Sequence, residues 1–407
     1  MDIVIQRKIL DYCYSLDGFI ICIAQEQKWW RIHLLVVCKS WFNYIRENLV
    51  TFFDYNKVNN LKHSLCSKWS LFNHSIPESA TLASDSIEEI YLLKNYNLLN
   101  NYFGSLKDIR YHETLSSPAA GEPYFDFLLS NQSNITELSI TSQKTMESSP
   151  ILDYIMKKSI EFPSLETFYL CLNDKLDYRR LEGLQMPRLK EFGMITNNDV
   201  NQDVFIGFNQ LVGDKWKQTL ENLSLTVNSY DFTDSFTIET SLKIWKRMPK
   251  LKGLVLLQMV TMDDGYEFYN FNNVNEANSF LELGLSDLRL PEPSIEFLEV
   301  LVASPKLEKL FLNYRIDQPF TKINTSSLCF LSLYDQYKMP FNNIQPLLQG
   351  LEILDLQSCD LDLVEQFLGF DGGLRVSNVS IVFEFKSIKD QQQDKTLKCL
   401  QIIHYCL

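Results

Sequence analysis

The stretch Leu351-Glu-Ile-Leu-Asp-Leu-Gln-Ser-Cys-Asp-Leu361 has the spacing L-x-x-L-x-L-x-x-C-x-L, which recurs along much of the chain. This spacing is typical of a short strand whose inward side chains are Leu351, Leu354 and Leu356, followed by a turn. One such unit is too small to bury its own apolar side chains. The pattern therefore predicts that copies of the unit stack on one another.

Twelve apolar triplets follow this spacing. They are Ile87/Ile90/Leu92, Leu106/Ile109/Tyr111, Ile135/Leu138/Ile140, Leu165/Phe168/Leu170, Leu189/Phe192/Met194, Leu220/Leu223/Leu225, Leu251/Leu254/Leu256, Phe280/Leu283/Leu285, Leu307/Leu310/Leu312, Leu328/Leu331/Leu333, Leu351/Leu354/Leu356 and Val376/Val379/Ile381. From Ile87 to Val376 there are 289 residues over eleven intervals. The mean period is therefore about 26 residues, within the roughly 20–29 residues of a leucine-rich repeat. The chain resembles a leucine-rich-repeat protein.

The stretches between triplets predict helices. Ile238, Leu242 and Trp245 lie four and three residues apart, a similar apolar stripe covers 295–302, and Pro150 stands where a helix would begin,. The expected fold class is α/β. The resemblance implies a solenoid shaped as a horseshoe, with parallel strands on its concave face and helices on its convex face.

The composition is that of an ordinary folded and soluble protein, with 407 residues of which 45% are hydrophobic and 22% are charged,. A net charge of −13 argues against a nucleic-acid partner, because such proteins carry a basic surface,. Nine cysteines lie scattered without paired spacing, which favours reduced thiols in the cytoplasm or nucleus,. The N-terminal residues lack the features of a secretory signal, and the apolar run 19–24 is too short to cross a bilayer, so we expect no membrane partner,.

Sequence motifs of catalysis and of metal or cofactor binding were sought and not found. The five histidines show no H-E-x-x-H or paired His/Cys spacing, and G-x-S-x-G, G-x-G-x-x-G and G-x-x-x-x-G-K-[ST] are missing,. Asp263-Asp264-Gly265 is similar to the start of a calcium loop but lacks the alternating ligands that must follow,. We therefore expect no enzyme activity, no metal and no cofactor.

The N-terminal residues carry a second pattern. Ile5-Gln-Arg-Lys-Ile-Leu10 and the later Leu34-Leu-Val-Val-Cys-Lys-Ser-Trp-Phe-Asn-Tyr-Ile45 resemble the two halves of an F-box, whose late half runs V-C-[KR]-x-W. The Leu-Pro pair that commonly opens an F-box is missing here, and the spacer between the halves is long. The resemblance implies docking to a Skp-type adaptor of a cullin ubiquitin ligase through motif positions on these helices. Those positions are Ile5, Ile9, Leu10, Leu34, Val37, Cys38 and Trp41.

The predicted domain organisation has four parts. Residues 1–50 form the F-box-like helical module, 51–83 a packed linker, 84–385 a solenoid of about twelve divergent repeats, and 386–407 a C-terminal cap. Helical spacing of Leu397, Leu400 and Ile403 or His404 predicts a closing helix within that cap,. The alternative for residues 1–50 is a cap that covers the apolar end of the repeats.

The resemblance implies a noncatalytic adaptor that recruits a protein substrate for ubiquitination, with Skp-type adaptor and cullin as partners. Substrate would bind outward strand positions. The candidates are Tyr169, Lys190, Lys252, Lys309, Phe311, Glu352 and Asp355. The first rival is a repeat scaffold unrelated to ubiquitin, and the second is an enzyme or enzyme regulator.

Overall fold

The computed structural model describes a large part of the chain, in segments. The described residues are 52–54, 78–83, 106–113, 122–142, 149–172, 178–199, 202–228, 235–258, 271, 274–290, 293–312, 316, 318–321, 327–334, 339–348, 351–357, 378–382 and 402–405. The chain divides into two compact units. The first comprises residues 1–174 and 183–189, and the second comprises 175–182 and 190–407. The predicted F-box-like module and the triplet that begins at Ile87 lie outside the described residues.

The first unit contains a parallel sheet of five strands in chain order. The strands are β1 (Phe52–Asp54), β2 (Ser79–Ala83), β3 (Asp108–Glu113), β4 (Glu137–Ser142) and β5 (Thr167–Leu172). Each strand pairs in parallel with the next. Helix α1 (Glu122–Leu128) follows β3, and α2 (Pro150–Lys157) follows β4. Strands β1 and β2 fall within 51–83, where the triplet spacing is lost.

The second unit contains a longer parallel sheet with helices between many of its strands. Its strands are β6 (Glu191–Asp199), β7 (Asn222–Asn228), β8 (Gly253–Gln258), β9 (Asp287–Arg289), β10 (Lys309–Leu312), β11 (Phe330–Tyr334), β12 (Ile353–Gln357), β13 (Asn378–Val382) and β14 (Ile402–Tyr405). Its helices are α3 (Gln202–Trp216), α4 (Ser235–Trp245), α5 (Val274–Leu283), α6 (Ile295–Val302) and α7 (Phe341–Ile344). Two 3₁₀ helices span Tyr178–Gly183 and Gln345–Leu348. Strands β6 to β13 pair in parallel in chain order.

The apolar triplets form the core because alternate side chains of a strand point to opposite faces. Leu351, Leu354 and Leu356 are each fully buried, and the same positions are buried in the other fully described strands. The inward side chains meet the helices, as where Phe192 of β6 lies 5.7 Å from Phe208 of α3 between ring centroids. The sequence prediction of an α/β fold with parallel strands is confirmed, and the repeated unit is consistent with a solenoid-like arrangement.

A backbone hydrogen-bond pattern marks the start of many of the described strands. The N–H groups of Glu308 and Lys309, for example, both donate to the carbonyl of Ser286, which immediately precedes β9, each at 2.9 Å. Among the described residues, nine carbonyls accept from two consecutive N–H groups in this way. This pattern involves only backbone atoms, so it locates the start of these strands independently of the apolar triplets.

The predicted helices are confirmed where the sequence placed them, as α2, α4 and α6. Ser149 caps α2 by accepting from the Leu152 N–H at 3.5 Å, and the buried Glu113 at the end of β3 accepts from the Ile151 N–H at 3.2 Å. Oxygen acceptors satisfy N–H groups that have no partner within the first turn of a helix. Within the described residues, no helix is both long and apolar enough to span a membrane.

Two expectations are corrected. The triplet Phe280/Leu283/Leu285 was assigned to a strand, but Phe280 and Leu283 lie on α5, and the strand is β9 with the buried triplet Leu285/Leu288/Leu290. The closing helix predicted around Ile403 and His404 is wrong, because both residues lie in β14, which pairs antiparallel with β13. β-Branched Ile402 and Ile403 favour a strand, and the edge of β13 offers backbone partners that helical spacing does not reveal.

Candidate protein-binding surface

The outward face of the sheet in the second unit presents side chains from neighbouring strands in register. Parallel pairing aligns Val255 of β8 with Arg289 of β9, and Arg289 with Phe311 of β10. One row earlier on the strands, Asp287 aligns with Lys309, and Lys309 with Phe330. These six side chains are all at least partly exposed, so they form a continuous surface that a partner can reach.

The structure brings some of the predicted substrate-binding residues together. Lys309 and Phe311 lie on β10, and Phe311 aligns with Ser332 of β11, which in turn aligns with Asp355 of β12. The Ser332 hydroxyl donates to Asp355 Oδ2 at 3.0 Å. Glu352 is exposed immediately before β12. These four predicted residues therefore lie on β10, on β12 or immediately before β12, and β11 separates the two strands.

The other predicted residues are separate from this group. Lys190 and Lys252 are exposed before β6 and β8, with β7 between those strands. Lys252 Nζ lies 2.8 Å from Glu221 Oε2, and this hydrogen bond is the main cause that holds the pKa of Glu221 below its ordinary value. Lys252 is thus engaged within the unit.

Tyr169 belongs to the first unit, on β5, where its side chain is 41% exposed. Two strands away, the outward charges of that unit are matched with one another. Arg110 Nη2 lies 3.2 Å from Asp108 Oδ2 and 3.6 Å from Glu137 Oε1. The Ser79 hydroxyl also donates to Asp108 Oδ2. The guanidinium of Arg110 therefore already has two carboxylate partners.

Arg289, Asp287 and Phe330 were missed by the sequence prediction. The first two were missed because the triplet of that repeat was placed about one turn too early, on residues that form α5. The sequence did contain the correct signal, since Leu285-Ser-Asp-Leu-Arg-Leu290 matches L-x-x-L-x-L with leucine at every apolar position. Phe330 was omitted although it immediately precedes an inward leucine, Leu331, where an outward residue is expected,.

Burial weakens the charged state of two groups on this surface. It raises the pKa of Asp287, with the Lys309 cation opposing the shift, and it lowers the pKa of Arg289. Asp287 Oδ1 and Arg289 Nε are both buried and make no hydrogen bond in the described structure. Since a buried polar atom without a partner costs free energy, both atoms destabilise the folded chain locally.

Potential metal ligands and two cysteine thiols lie among the described residues. Across them, no group of three or more His, Cys, Asp and Glu side chains is placed to hold a metal ion. The thiol pKa of Cys171 is raised by burial, and that of Cys329 by burial and by the carboxylates of Glu352 and Glu308. A raised pKa keeps a thiol protonated and so a poor nucleophile.

The seven residues predicted to contact the Skp-type adaptor, Ile5, Ile9, Leu10, Leu34, Val37, Cys38 and Trp41, lie outside the described residues. A scan against protein-family models found no match to the chain, and a search of curated proteins found none either.

Proposed function

We propose that the chain is a noncatalytic adaptor that recruits a protein substrate to a Skp/cullin/F-box-type ubiquitin ligase. The observation that carries the binding half of this proposal is the outward sheet face around Arg289 and Phe311. Parallel sheets are normally covered on both faces, whereas these outward side chains are only partly buried. Arginine and aromatic side chains are enriched in protein interfaces relative to the rest of the protein surface.

The ligase half of the proposal rests on the F-box-like pattern of residues 1–50. In this proposal the segment forms a small helical module, and Val37, Cys38 and Trp41 contact the adaptor. The repeats form a horseshoe whose concave strands hold the substrate. Catalysis is by proximity, because the adaptor places a substrate lysine near a ubiquitin-charged enzyme that the cullin brings.

A pull-down of the full chain from cells, probed for the Skp-type adaptor and a cullin, tests ligase membership. We compare the unchanged chain with a Val37→Asp/Trp41→Ala variant, and with Tyr169→Ser as a matched surface control outside the module. The proposal expects the first and third chains to capture the adaptor and the second to lose it. Failure of all three soluble chains to capture it would overturn the ligase assignment.

The second candidate is a repeat scaffold unrelated to ubiquitin, in which residues 1–50 cap the first repeat. The observation that favours it is the lack of a family-model match to the chain. Every repeat array needs a cap over its apolar end. In that case, deletion of residues 1–50 would make the repeats aggregate, and the pull-down would contain no adaptor.

A further inference from the structure

Arg289 occupies the middle of the outward face on β9, between Val255 and Phe311 on the two neighbouring strands. Its Nε atom is buried and has no hydrogen-bond acceptor, and within the described part of the chain no carboxylate lies within 4.0 Å of its guanidinium. Arg110 in the first unit shows the contrast, since two carboxylates of its own unit meet it. The other guanidinium N–H groups of this partly exposed side chain are therefore available to an external acceptor,.

Large apolar side chains lie beside this donor. The rings of Phe311 and Phe330 are 5.1 Å apart between centroids and tilted by 43°, and Ile353 aligns with Phe330 on the next strand. All three side chains are partly exposed on the outward face. Such a cluster excludes water from one side of a bound partner, which strengthens a charged hydrogen bond made next to it.

This outward surface carries cationic side chains although the whole chain has a net charge of −13. Two cations, Arg289 and Lys309, flank Phe311, and Asp287 is the acidic residue aligned with Lys309. Arg289, which has no carboxylate partner among the described residues, can therefore pair with an anionic group of a partner, with Lys309 nearby,.

We propose that this Arg289 surface, formed by Val255, Arg289, Lys309, Phe311 and Phe330, binds a protein segment that presents an aspartate or glutamate beside a large apolar side chain. The carboxylate accepts from the Arg289 guanidinium with Lys309 nearby, and the apolar side chain packs on the Phe311 and Phe330 rings. The inference deepens the proposed function, since it names the chemistry of the substrate segment. The overall acidity of the chain makes a nucleic acid, with its continuous phosphate charge, the poorer partner.

Selection of random linear peptides on the immobilised full chain tests this surface, followed by anisotropy measurements with the recovered peptides. We expect peptides that share an acidic residue next to an aromatic or large aliphatic one. Arg289→Gln, and the acid-to-amide change in the peptide, should each weaken binding by about tenfold or more. The two changes together should cost little more than either alone, because they remove the same contact.

Control variants distinguish the loss of a binding contact from the loss of the folded structure. Lys107→Gln removes an exposed cation of the first unit that is already ion-paired with Glu78, and it should leave the affinity unchanged. Phe311→Ser should weaken binding without changing the preference for an acidic residue. Each variant is first checked for an unchanged thermal unfolding midpoint, and Arg289→Lys replaces Arg289→Gln if the latter unfolds.

Several outcomes would overturn the inference. The first is a selection that recovers no peptide, or only peptides that lack an acidic residue. The second is that the recovered peptides bind the Arg289→Gln variant as tightly as the unchanged chain. The third is that single-stranded oligonucleotides alone compete for the surface. Failure here is distinguishable from failure of the ligase assignment, because capture of the Skp-type adaptor depends on residues 1–50 and is measured separately.

Discussion

Asn209 is a buried polar residue that joins two neighbouring helices. Its Nδ2 donates to the Phe205 carbonyl at 3.1 Å and lies 3.2 Å from the Ser241 hydroxyl, while the Trp245 Nε1 donates to its Oδ1 at 3.1 Å. The amide nitrogen is therefore hydrogen-bonded to both α3 and α4, and the amide oxygen is hydrogen-bonded to α4. A single amide therefore fixes the side chains of Ser241 and Trp245 against α3.

Replacing Asn209 with alanine should lower the free energy of unfolding by about 2–3 kcal/mol, because the buried Trp245 N–H loses its acceptor and a small cavity forms. Ser241→Ala removes only one hydrogen-bond partner and should cost about 1 kcal/mol. Urea unfolding followed by circular dichroism measures both. Equal losses for the two variants would contradict the central role of the amide.

Asp287 illustrates how burial sets a pH dependence at one residue. Its pKa is raised in the folded chain, mainly by burial. A carboxyl group with a raised folded pKa favours folding at low pH, and this contribution is lost as pH rises through the folded pKa. At pH 7 the ionised, half-buried carboxylate therefore lowers the free energy of unfolding.

Asp287→Asn should consequently raise the free energy of unfolding at pH 7. The gain should shrink as pH falls through the raised folded pKa, and it should vanish below about 3.9, the ordinary aspartate pKa, where the acid becomes neutral in both states. Urea titrations at several pH values from 7 down to about 3 measure this trend. Glu352→Gln, at an exposed carboxylate, is the control and should change stability by less than about 0.5 kcal/mol at each pH. A gain independent of pH would show that ionisation is not its cause.

At the scale of elements, helices α3 and α4 approach closely where α3 carries a glycine. A Cβ built on the buried Gly213 would stand 2.6 Å from Ile244 Cγ2. That distance is shorter than carbon atoms tolerate, so a larger residue must push the helices apart or displace Ile244. The glycine is needed for this helix contact even though glycine lowers helix propensity.

Gly213→Ala should lower the free energy of unfolding by about 1–2 kcal/mol, as overpacking outweighs the gain in helix propensity. In an Ile244→Ala background the same change should be neutral or stabilising, which a double-mutant cycle by urea unfolding measures. Gly183→Ala is the matched control. Its Cβ would meet Met156 no closer than 3.8 Å, an ordinary contact. If Gly213→Ala and Ile244→Ala have additive effects on the free energy of unfolding, the proposed close contact between Gly213 and Ile244 is wrong.

The corrected position of the apolar triplet on β9 leads to a second prediction at the scale of secondary-structure elements. Leu288 is 2% exposed in the core, whereas Leu283 on α5 is partly exposed. Leu288→Ala should therefore lower the free energy of unfolding by about 2–4 kcal/mol, and Leu283→Ala by distinctly less. Thermal and urea unfolding of the two variants distinguish the triplet that begins at Leu285 from the triplet that begins at Phe280. The triplet at Phe280 would place Leu283 in the core, so Leu283→Ala would then cause the larger loss of stability.

At the scale of the whole molecule, charge governs association with itself. The net charge is −13 at pH 7, and the pI is about 5.0. Electrostatic repulsion between copies should vanish near pH 5, so light scattering at fixed concentration should rise as pH falls from 7.5 toward 5. At pH 7.5, added salt should raise scattering only slightly, because some net repulsion remains at short range. Scattering that stays flat between pH 7.5 and 5 would show that repulsion between copies is not what limits association.

How much of the candidate surface could be predicted depended on the phase of each repeat. Lys309 and Phe311 were predicted because Leu307, Leu310 and Leu312 set the alternation of β10 correctly. Arg289 was missed because apolar residues of α5 have a spacing that imitates a strand triplet over a short stretch. Helical and strand periodicities cannot be separated in so few residues without their partners.

The sequence by itself determined the α/β class, the parallel repeat and most strand positions, because leucines at a fixed spacing have only one face to bury. Tertiary structure alone decided which polar residues share a surface. Cross-strand register placed Arg289 between Val255 and Phe311, which are distant along the chain. It also decided that β14 pairs with the edge of β13. The physical reason is that inward positions are selected by burial within each repeat, whereas outward neighbours are created only when backbone hydrogen bonds align separate repeats.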